Sequence, residues 1–182
     1  MNDQNLIALI GKPEEEDWKE VQRRAFVTTG KALPETAPSS PWKRAILAAR
    51  HSPIRYLRYS FYLEIPYWVS VHLCRHIHAQ PYVRTQRNDR QSAYDRNTAP
   101  QGAPVAMIWD VNAEELMVVA NKRLCNQSSP ETREIVQTMC ALAEEVTPEL
   151  QGLLVPMCVY HGGICQEMRP CGNRKEEGEG WI

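Results

Sequence analysis

Arginines and histidines crowd one short segment of the chain, Arg75-His76-Ile77-His78-Ala79-Gln80-Pro81-Tyr82-Val83-Arg84-Thr85-Gln86-Arg87, beside the hydroxyl of Thr85. A guanidinium offers a planar fork that matches a phosphate or a heterocycle edge, and an imidazole offers a donor that switches with pH. Arg75 and His76 also fall where a helix should end, and the helix dipole favours cations there without any ligand. A second constellation is Asn112 and Arg123. Eleven residues apart on one helix, they point within about 20° of each other and stand roughly 16 Å apart along the axis. That separation suits contacts to different parts of an extended ligand. Asn at a helix start and Arg near its end are equally ordinary as a cap and a dipole partner. The residues alone leave both readings open.

Toward the carboxyl end, Cys158, His161, Cys165 and Cys171 are four candidate zinc ligands, and Gly162, Gly163 and Gly172 allow a tight wrap. Their spacing is not one of the strong paired patterns, and thiols in reduced proteins are often merely buried, so no metal ligand is assigned from sequence. Six cysteines among 182 residues do not call for a disulfide framework, because a chain this long buries an adequate core without staples. They are read as reduced.

Periodicity supplies the elements that must carry these groups. Glu14 to Thr29 reads as a helix with an acidic first turn, Trp18, Val21, Ala25 and Phe26 on one side, and Gly30 as its stop. Ser40 before Pro41 has the form of an N-cap opening a helix to about Arg50. Leu57, Tyr59, Phe61, Leu63 and Ile65 alternate with polar positions, which predicts a strand with one buried face. Pro66 ends that strand and starts a helix through His76. Pro81 then breaks any helix, and a strand followed by a basic loop fits residues 77–96. Asn112 caps a helix to about Asn126. A further helix opens at Ser128 or Ser129 before Pro130; Ser128 with Glu131 fits a capping box, and Ser129 fits a simple cap. Its apolar stripe is Ile135, Val136, Met139, Leu142, Ala143 and Val146, and Thr147-Pro148 restarts a short helix to about Leu154. The whole reads as α+β with more helix than strand.

With 43% hydrophobic and 24% charged residues, the chain fits one globular domain spanning 1–182. No apolar run approaches the roughly 18 residues a membrane span needs, and the amino terminus lacks the pattern of a secretory signal, so a cytoplasmic protein is expected. The net charge of −1 hides net values of −2 for residues 1–41, +7 for 42–96 and −6 for 97–182. A basic segment inside a near-neutral chain points to a local anion site more than to nonspecific nucleic-acid binding, although a basic face paired with the acidic helices that follow gives the same sum.

In order and spacing, these segments resemble the flavin-dependent thymidylate synthases. That family's signature is Arg-His-Arg, seven residues of any kind, then Ser, with a further Arg two residues later; the matching positions are Arg75, His76, Ile77, Thr85 and Arg87. Upstream, His51-Ser52-Pro53 and the strand from Phe61 to Pro66 look like the family's approach to the motif. Downstream, Arg96, Pro100, Trp109, Val111, Asn112, Arg123 and Glu131 align with its second half. The resemblance covers about residues 45–146, and the tail from Pro156 to Gly172 looks like the tails of some members. The sequence departs from the pattern at several points. Ile77 stands for the second arginine, Thr85 for Ser, Asn88 for Tyr, Val83 for an acidic residue, and Arg55 for a flavin-contacting Glu; most of a helical segment between Arg87 and Arg96 is missing.

The resemblance implies a single domain with a small antiparallel sheet flanked by helices and a Cys-containing tail over 156–182, assembled as a homotetramer with shared active sites. The implied activity is methylation of dUMP using methylenetetrahydrofolate, FAD and NADPH. Carried over by position, Arg123 and Thr85 would be catalytic, with Arg123 polarising the uracil, since a fixed cation favours negative charge developing on the ring. Arg75, His72, Arg87, Arg96 and Arg123 would hold dUMP; Ser52, Arg75, His76 and Asn112 would contact FAD. Glu131 is a candidate structural partner for Arg123. Two other readings stay open: a noncatalytic binder that kept the nucleotide pocket, and an RNA-binding module using the 84–96 loop with Tyr82 and Tyr94 as stacking surfaces.

Overall fold

The computed structural model describes residues 5–90 and 95–171. Its centre is a pair of nine-residue strands, β2 (Arg58–Pro66) and β4 (Pro104–Asn112), paired antiparallel from Arg58↔Asn112 to Pro66↔Pro104. Along β2 the residues Tyr59, Phe61, Leu63 and Ile65 are all buried, as the alternation predicts. Their partners Val111, Trp109, Met107 and Val105 are buried with them. The rings of Phe61 and Trp109 meet at 6.5 Å between centroids. Each such side chain contributes about 1.5–3 kcal/mol by leaving water.

Two further strands complete the sheet in the order β1-β2-β4-β3, with every pairing antiparallel. β1 (Leu6–Gly11) joins β2, and β3 (Gln80–Val83) forms the other edge, with Pro81 opposite Trp109 and Tyr82 opposite Ile108. All four residues of β3 are exposed. The second face of the sheet carries the row Ala8, Tyr62, Ile108, Tyr82; within this row Tyr82 is 60% and Ile108 37% exposed.

Helices cover the first face. α1 (Glu15–Thr28) begins in a capping box between Glu14 and Asp17, buries Trp18, Val21 and Ala25, and stops at Gly30, whose φ of +67° suits glycine. α2 (Ser40–Ala48) starts one residue earlier than the sequence predicts, with Ser39 at the N-cap position but making no side-chain cap bond and Pro41 inside the first turn. It ends before Arg50, whose φ is +48°. A 3-10 turn, Ser52–Tyr56, leads into β2. α3 (Tyr67–Cys74) follows Pro66 directly and ends at Arg75. α4 (Ala113–Arg123) grows straight out of β4, and α5 (Pro130–Val146) packs beside it. Ser129 is the cap of α5, accepting from the backbone of Thr132, which decides between the two readings of that boundary. Beyond α5 come a 3-10 turn, Pro148–Leu150, and the short α6 (Met157–Tyr160). The hydroxyls of Tyr59 and Thr147 bond at 2.9 Å inside the core, tying the sheet to the end of α5. One apolar cluster runs from Trp18 to Leu154; from Val155 to Cys171 no residue is buried. Among the described residues no helix is long and apolar enough to cross a membrane.

Candidate functional site

The ends of α3 and α4 meet the start of α5, and there the chain assembles a polar cluster. Arg123, on the last turn of α4, donates from Nε to Nε2 of His76 at 3.1 Å and from Nη2 to the carbonyl of His72 at 3.1 Å. A guanidinium only donates, so Nε2 of His76 is the acceptor and the ring proton sits on Nδ1. That nitrogen lies 3.2 Å from Oε1 of Glu115. Arg123, His76 and Glu115 thus form one directed line of hydrogen bonds, with His76 and Glu115 both buried.

A second line runs from the α5 cap. Ser129 Oγ donates to Thr132 Oγ1 at 2.9 Å, and Thr132 Oγ1 lies 3.1 Å from Nδ1 of His72. The ring of His72 stands edge-on to Trp68 at 5.5 Å. His72 belongs to both lines, through its ring to Thr132 and through its carbonyl to Arg123.

Burial and neighbouring cations set the electrostatics of the cluster. Burial, then the charge of Arg123, pushes the His76 pKa down to about 4. Burial, Arg123 and Arg75 lower that of His72, and burial with Arg75 lowers that of Arg123. Burial raises the Glu115 carboxyl. Among the described residues Arg123 makes no ion pair, and its Nη1 has no hydrogen-bond partner. Glu131 is exposed and does not pair with it. The partners of Arg123 are instead the ring of His76 and the His72 carbonyl. A half-buried cation beside a second cation, without a carboxylate in contact, is costly unless something anionic arrives.

The remaining sequence-predicted residues are distributed around this cluster. Arg75 is exposed at the end of α3 and carries no ion pair among the described residues. Asn112 caps α4, its side-chain oxygen accepting from the backbone of Glu115 at 2.9 Å. Ser52 is exposed at the first position of its 3-10 turn. Thr85 is exposed beyond β3, with its hydroxyl 3.4 Å from the Arg87 amide. Arg87 forks onto Asp89 at 2.9 and 2.7 Å. The Arg96 amide donates to Asn88 at 3.2 Å; the Asp89 carboxyl is held low chiefly by its hydrogen bonds from Arg87, and that of Asp95 by the Asn97 amide and Asn88, with the Arg96 charge a minor contributor to each. Ile77 is 81% exposed. Arg55 pairs with Glu114 at the start of α4, so the position departing from the family pattern is matched by a local carboxylate. Tyr94 and Gly172 lie outside the described residues.

Sequence reasoning missed Glu115 and Thr132. Glu115 stands three residues after the Asn112 cap, where a carboxylate ordinarily serves the helix start, yet its side chain turns to His76. Thr132 carries no signal beyond its place in the first turn of α5. Of the proposed zinc ligands, Cys158, Cys165 and Cys171 line one cavity; His161 instead stacks edge-on to Tyr160 at 5.1 Å.

Residues 91–149 match the family model described as "Thymidylate synthase complementing protein". The matched stretch contains Asn112, Glu115, Arg123 and Thr132, while Arg75 to Arg87 lie before it. No curated protein matches the sequence. Among solved structures the chain is similar to a UMP/dUMP methylase, PolB from Streptomyces cacaoi, bound with 5-Br dUMP, at 13% identity and a TM-score of 0.65. The superposition covers 82% of this chain and 94% of that one. The resemblance to the thymidylate synthase family read from the sequence is therefore borne out, by its sequence pattern over residues 91–149 and by a shared α+β fold.

Proposed function

We propose that the protein is a dUMP-methylating enzyme of the flavin-dependent thymidylate synthase type, using methylenetetrahydrofolate as one-carbon donor with FAD and NADPH, and working as a homotetramer with shared sites. The observation that carries this reading is Arg123: a guanidinium oriented by His76 and the His72 carbonyl, with a nitrogen to spare and no carboxylate in contact. In this role Nη1 donates to the pyrimidine and stabilises negative charge as it develops on the ring. Two bonds already fix the plane of the group, so little reorganisation accompanies binding. Arg75, with Arg87 and Arg96 from the exposed loop, holds the phosphate.

The residues fit an anionic cofactor in part. Arg75 and Ser52 are accessible and suit a diphosphate. The exposed Ile77 and the pairing of Arg55 with Glu114 supply no such contact. His76 uses both ring nitrogens within the protein, which makes it a positioning residue for Arg123. FAD bound there and reduced by NADPH would supply, through the uracil ring, the hydride that turns the transferred one-carbon unit into a methyl group.

The test is an anaerobic assay with reduced FAD and methylenetetrahydrofolate, reading dUMP-dependent flavin oxidation and the methylated product by mass spectrometry. Product formation supports the proposal. Saturable dUMP binding without flavin oxidation would establish the noncatalytic binder in its place, a reading favoured by Ile77 and the Arg55–Glu114 pair. Absence of dUMP binding by the intact oligomer would reject both.

A further inference from the structure

The hydrogen-bond line from the α5 cap has a direction, and that direction fixes the ring of His72. Ser129 Oγ accepts from the backbone of Thr132 at 3.3 Å and donates to Thr132 Oγ1 at 2.9 Å. Thr132 is fully buried, so its own hydroxyl hydrogen needs an acceptor within the protein. Beyond Ser129, the neighbour of that hydroxyl among the described residues is Nδ1 of His72 at 3.1 Å. Nδ1 therefore accepts, and a neutral ring with Nδ1 as acceptor carries its proton on Nε2. Burial and the charges of Arg123 and Arg75 favour that neutral ring. Among the described residues Nε2 has no partner, and the side chain is half-buried.

We propose that His72 is a specificity-determining residue: its Nε2–H, held in place by Ser129 and Thr132, joins Arg123 Nη1 in donating to the C4 carbonyl oxygen of the pyrimidine and selects uracil over cytosine. This role rests on the dUMP reading above. The two donors stand on residues bonded to each other, since the His72 carbonyl accepts from Arg123 Nη2 at 3.1 Å.

The acceptors of both lines are engaged inside the protein. Nε2 of His76 and the His72 carbonyl take Arg123, Thr132 Oγ1 takes Ser129, and Nδ1 of His72 takes Thr132. Glu115 is buried against His76 at 6% exposure. A ligand edge that meets these donors has to accept. At C4 uracil carries a carbonyl and cytosine an amino group, and an amino group set against these N–H groups leaves donors on both sides unpaired. Sites built to pair one polar group reject the wrong counterpart far more strongly than a pocket rejects a small change in apolar shape. The C4 oxygen is conjugated with C5, so it draws charge when C5 reacts, and donors placed there act on charge as it develops. A neutral ring suits this place. Beside Arg123 and Arg75 a third cation is costly, whereas a neutral N–H donates without adding charge.

Nitrogen NMR of the ligand-free protein at pH 7 should find His72 neutral with its proton on Nε2, a reading that uses the unaltered chain and stands whether or not variants fold. Thr132→Val should release the ring to a mixture of tautomers. In calorimetric titrations the wild type should bind dUMP about tenfold or more tighter than dCMP. His72→Phe keeps an aromatic ring against Trp68 and removes the donor; dUMP affinity should fall about tenfold while dCMP affinity does not fall. His72→Gln, which returns an amide donor, should recover part of the loss. A proton found on Nδ1 overturns the proposal. Equal affinities in the wild type, or parallel losses of both nucleotides in His72→Phe, also overturn it and leave the dUMP reading standing. Binding of neither nucleotide by the intact oligomer rejects that reading and this role with it.

Discussion

Arg123 and Glu115 sit eight positions apart on α4 and do not touch, yet His76 joins them. Its Nε2 accepts from the guanidinium at 3.1 Å and its Nδ1 faces the carboxyl at 3.2 Å. The charge of Arg123 is thereby oriented without being neutralised by contact, which is the state an anion-binding residue needs.

Arg123→Ala separates binding from folding. It leaves His76 Nε2 and the His72 carbonyl without a donor, costing about 1–3 kcal/mol, but removes a half-buried cation near Arg75 and recovers a comparable amount. The ligand-free melting temperature should therefore move little, while dUMP affinity falls at least tenfold, about 1.4 kcal/mol or more. Calorimetric titration beside thermal melts checks both. Unchanged dUMP affinity would remove Arg123 from the site.

Acid should loosen the cluster through His76. Its folded pKa of about 4 lies below the ordinary 6.5, so between these values the unfolded chain binds more protons and stability rises with pH. The contribution is complete above pH 6.5 and is lost as pH falls toward 4, by about 3 kcal/mol in all. Nitrogen NMR should find His76 neutral at pH 7 with its proton on Nδ1. A ring that titrates near 6.5 contradicts this.

Ile77→Arg should tighten FAD binding about tenfold or more by restoring a charged hydrogen bond to phosphate. Ile77 is 81% exposed, so no packing is lost and the melting temperature stays put. Arg55→Glu by itself sets a carboxylate against Glu114; the double swap with Glu114→Arg should recover the stability that the single change loses. Flavin titrations of the three variants decide whether either position faces the cofactor.

Ser129→Ala tests the second hydrogen-bond line. Loss of the α5 cap should cost about 1 kcal/mol. It also frees Thr132 from its hydroxyl partner, so the His72 ring should broaden in proton NMR. A stable variant with an unaltered His72 signal would show that the cap does not hold that ring.

Light scattering should find an oligomer, most simply a tetramer. Tyr82 and Ile108 are exposed on the uncovered sheet face, and the loop bearing Thr85 and Arg87 extends from the edge strand. A strict monomer at micromolar concentration would remove the basis for shared sites.

The legibility of the sequence follows the range of the interactions. β2, α1, α4 and α5 are readable because their buried positions recur with a strict period and their caps are local. β1 is not, since Leu6 to Ile10 is a continuous apolar run that fits strand and helix equally. β4 escapes because Ala106 and Ile108 sit on the open face and blur its alternation. At the candidate site, Arg123 is singled out in the sequence by its phase with Asn112 and by the family resemblance together. Its partners are not, because His76 reaches it across 47 positions and Glu115 across 39 from His76. The cavity lined by Cys125, Cys158, Cys165 and Cys171 shows the same division, with three of these cysteines between positions 158 and 171 and Cys125 brought to them by the fold.

Pro81 gives the margin of the sheet a further property. The Arg84 amide bonds to the Ala106 carbonyl at 2.9 Å, so in the antiparallel ladder residues 82 and 80 also bond inward, and the backbone nitrogen of Pro81 faces away from β4. A proline there deletes the outward donor at the middle of β3 and blunts the strand as a template for adding another. A molecule meeting this rim finds one backbone donor fewer, and the exposed side chains of Tyr82 and Arg84 carry more of the contact, so recognition along β3 is more selective by chemistry than along an intact backbone edge.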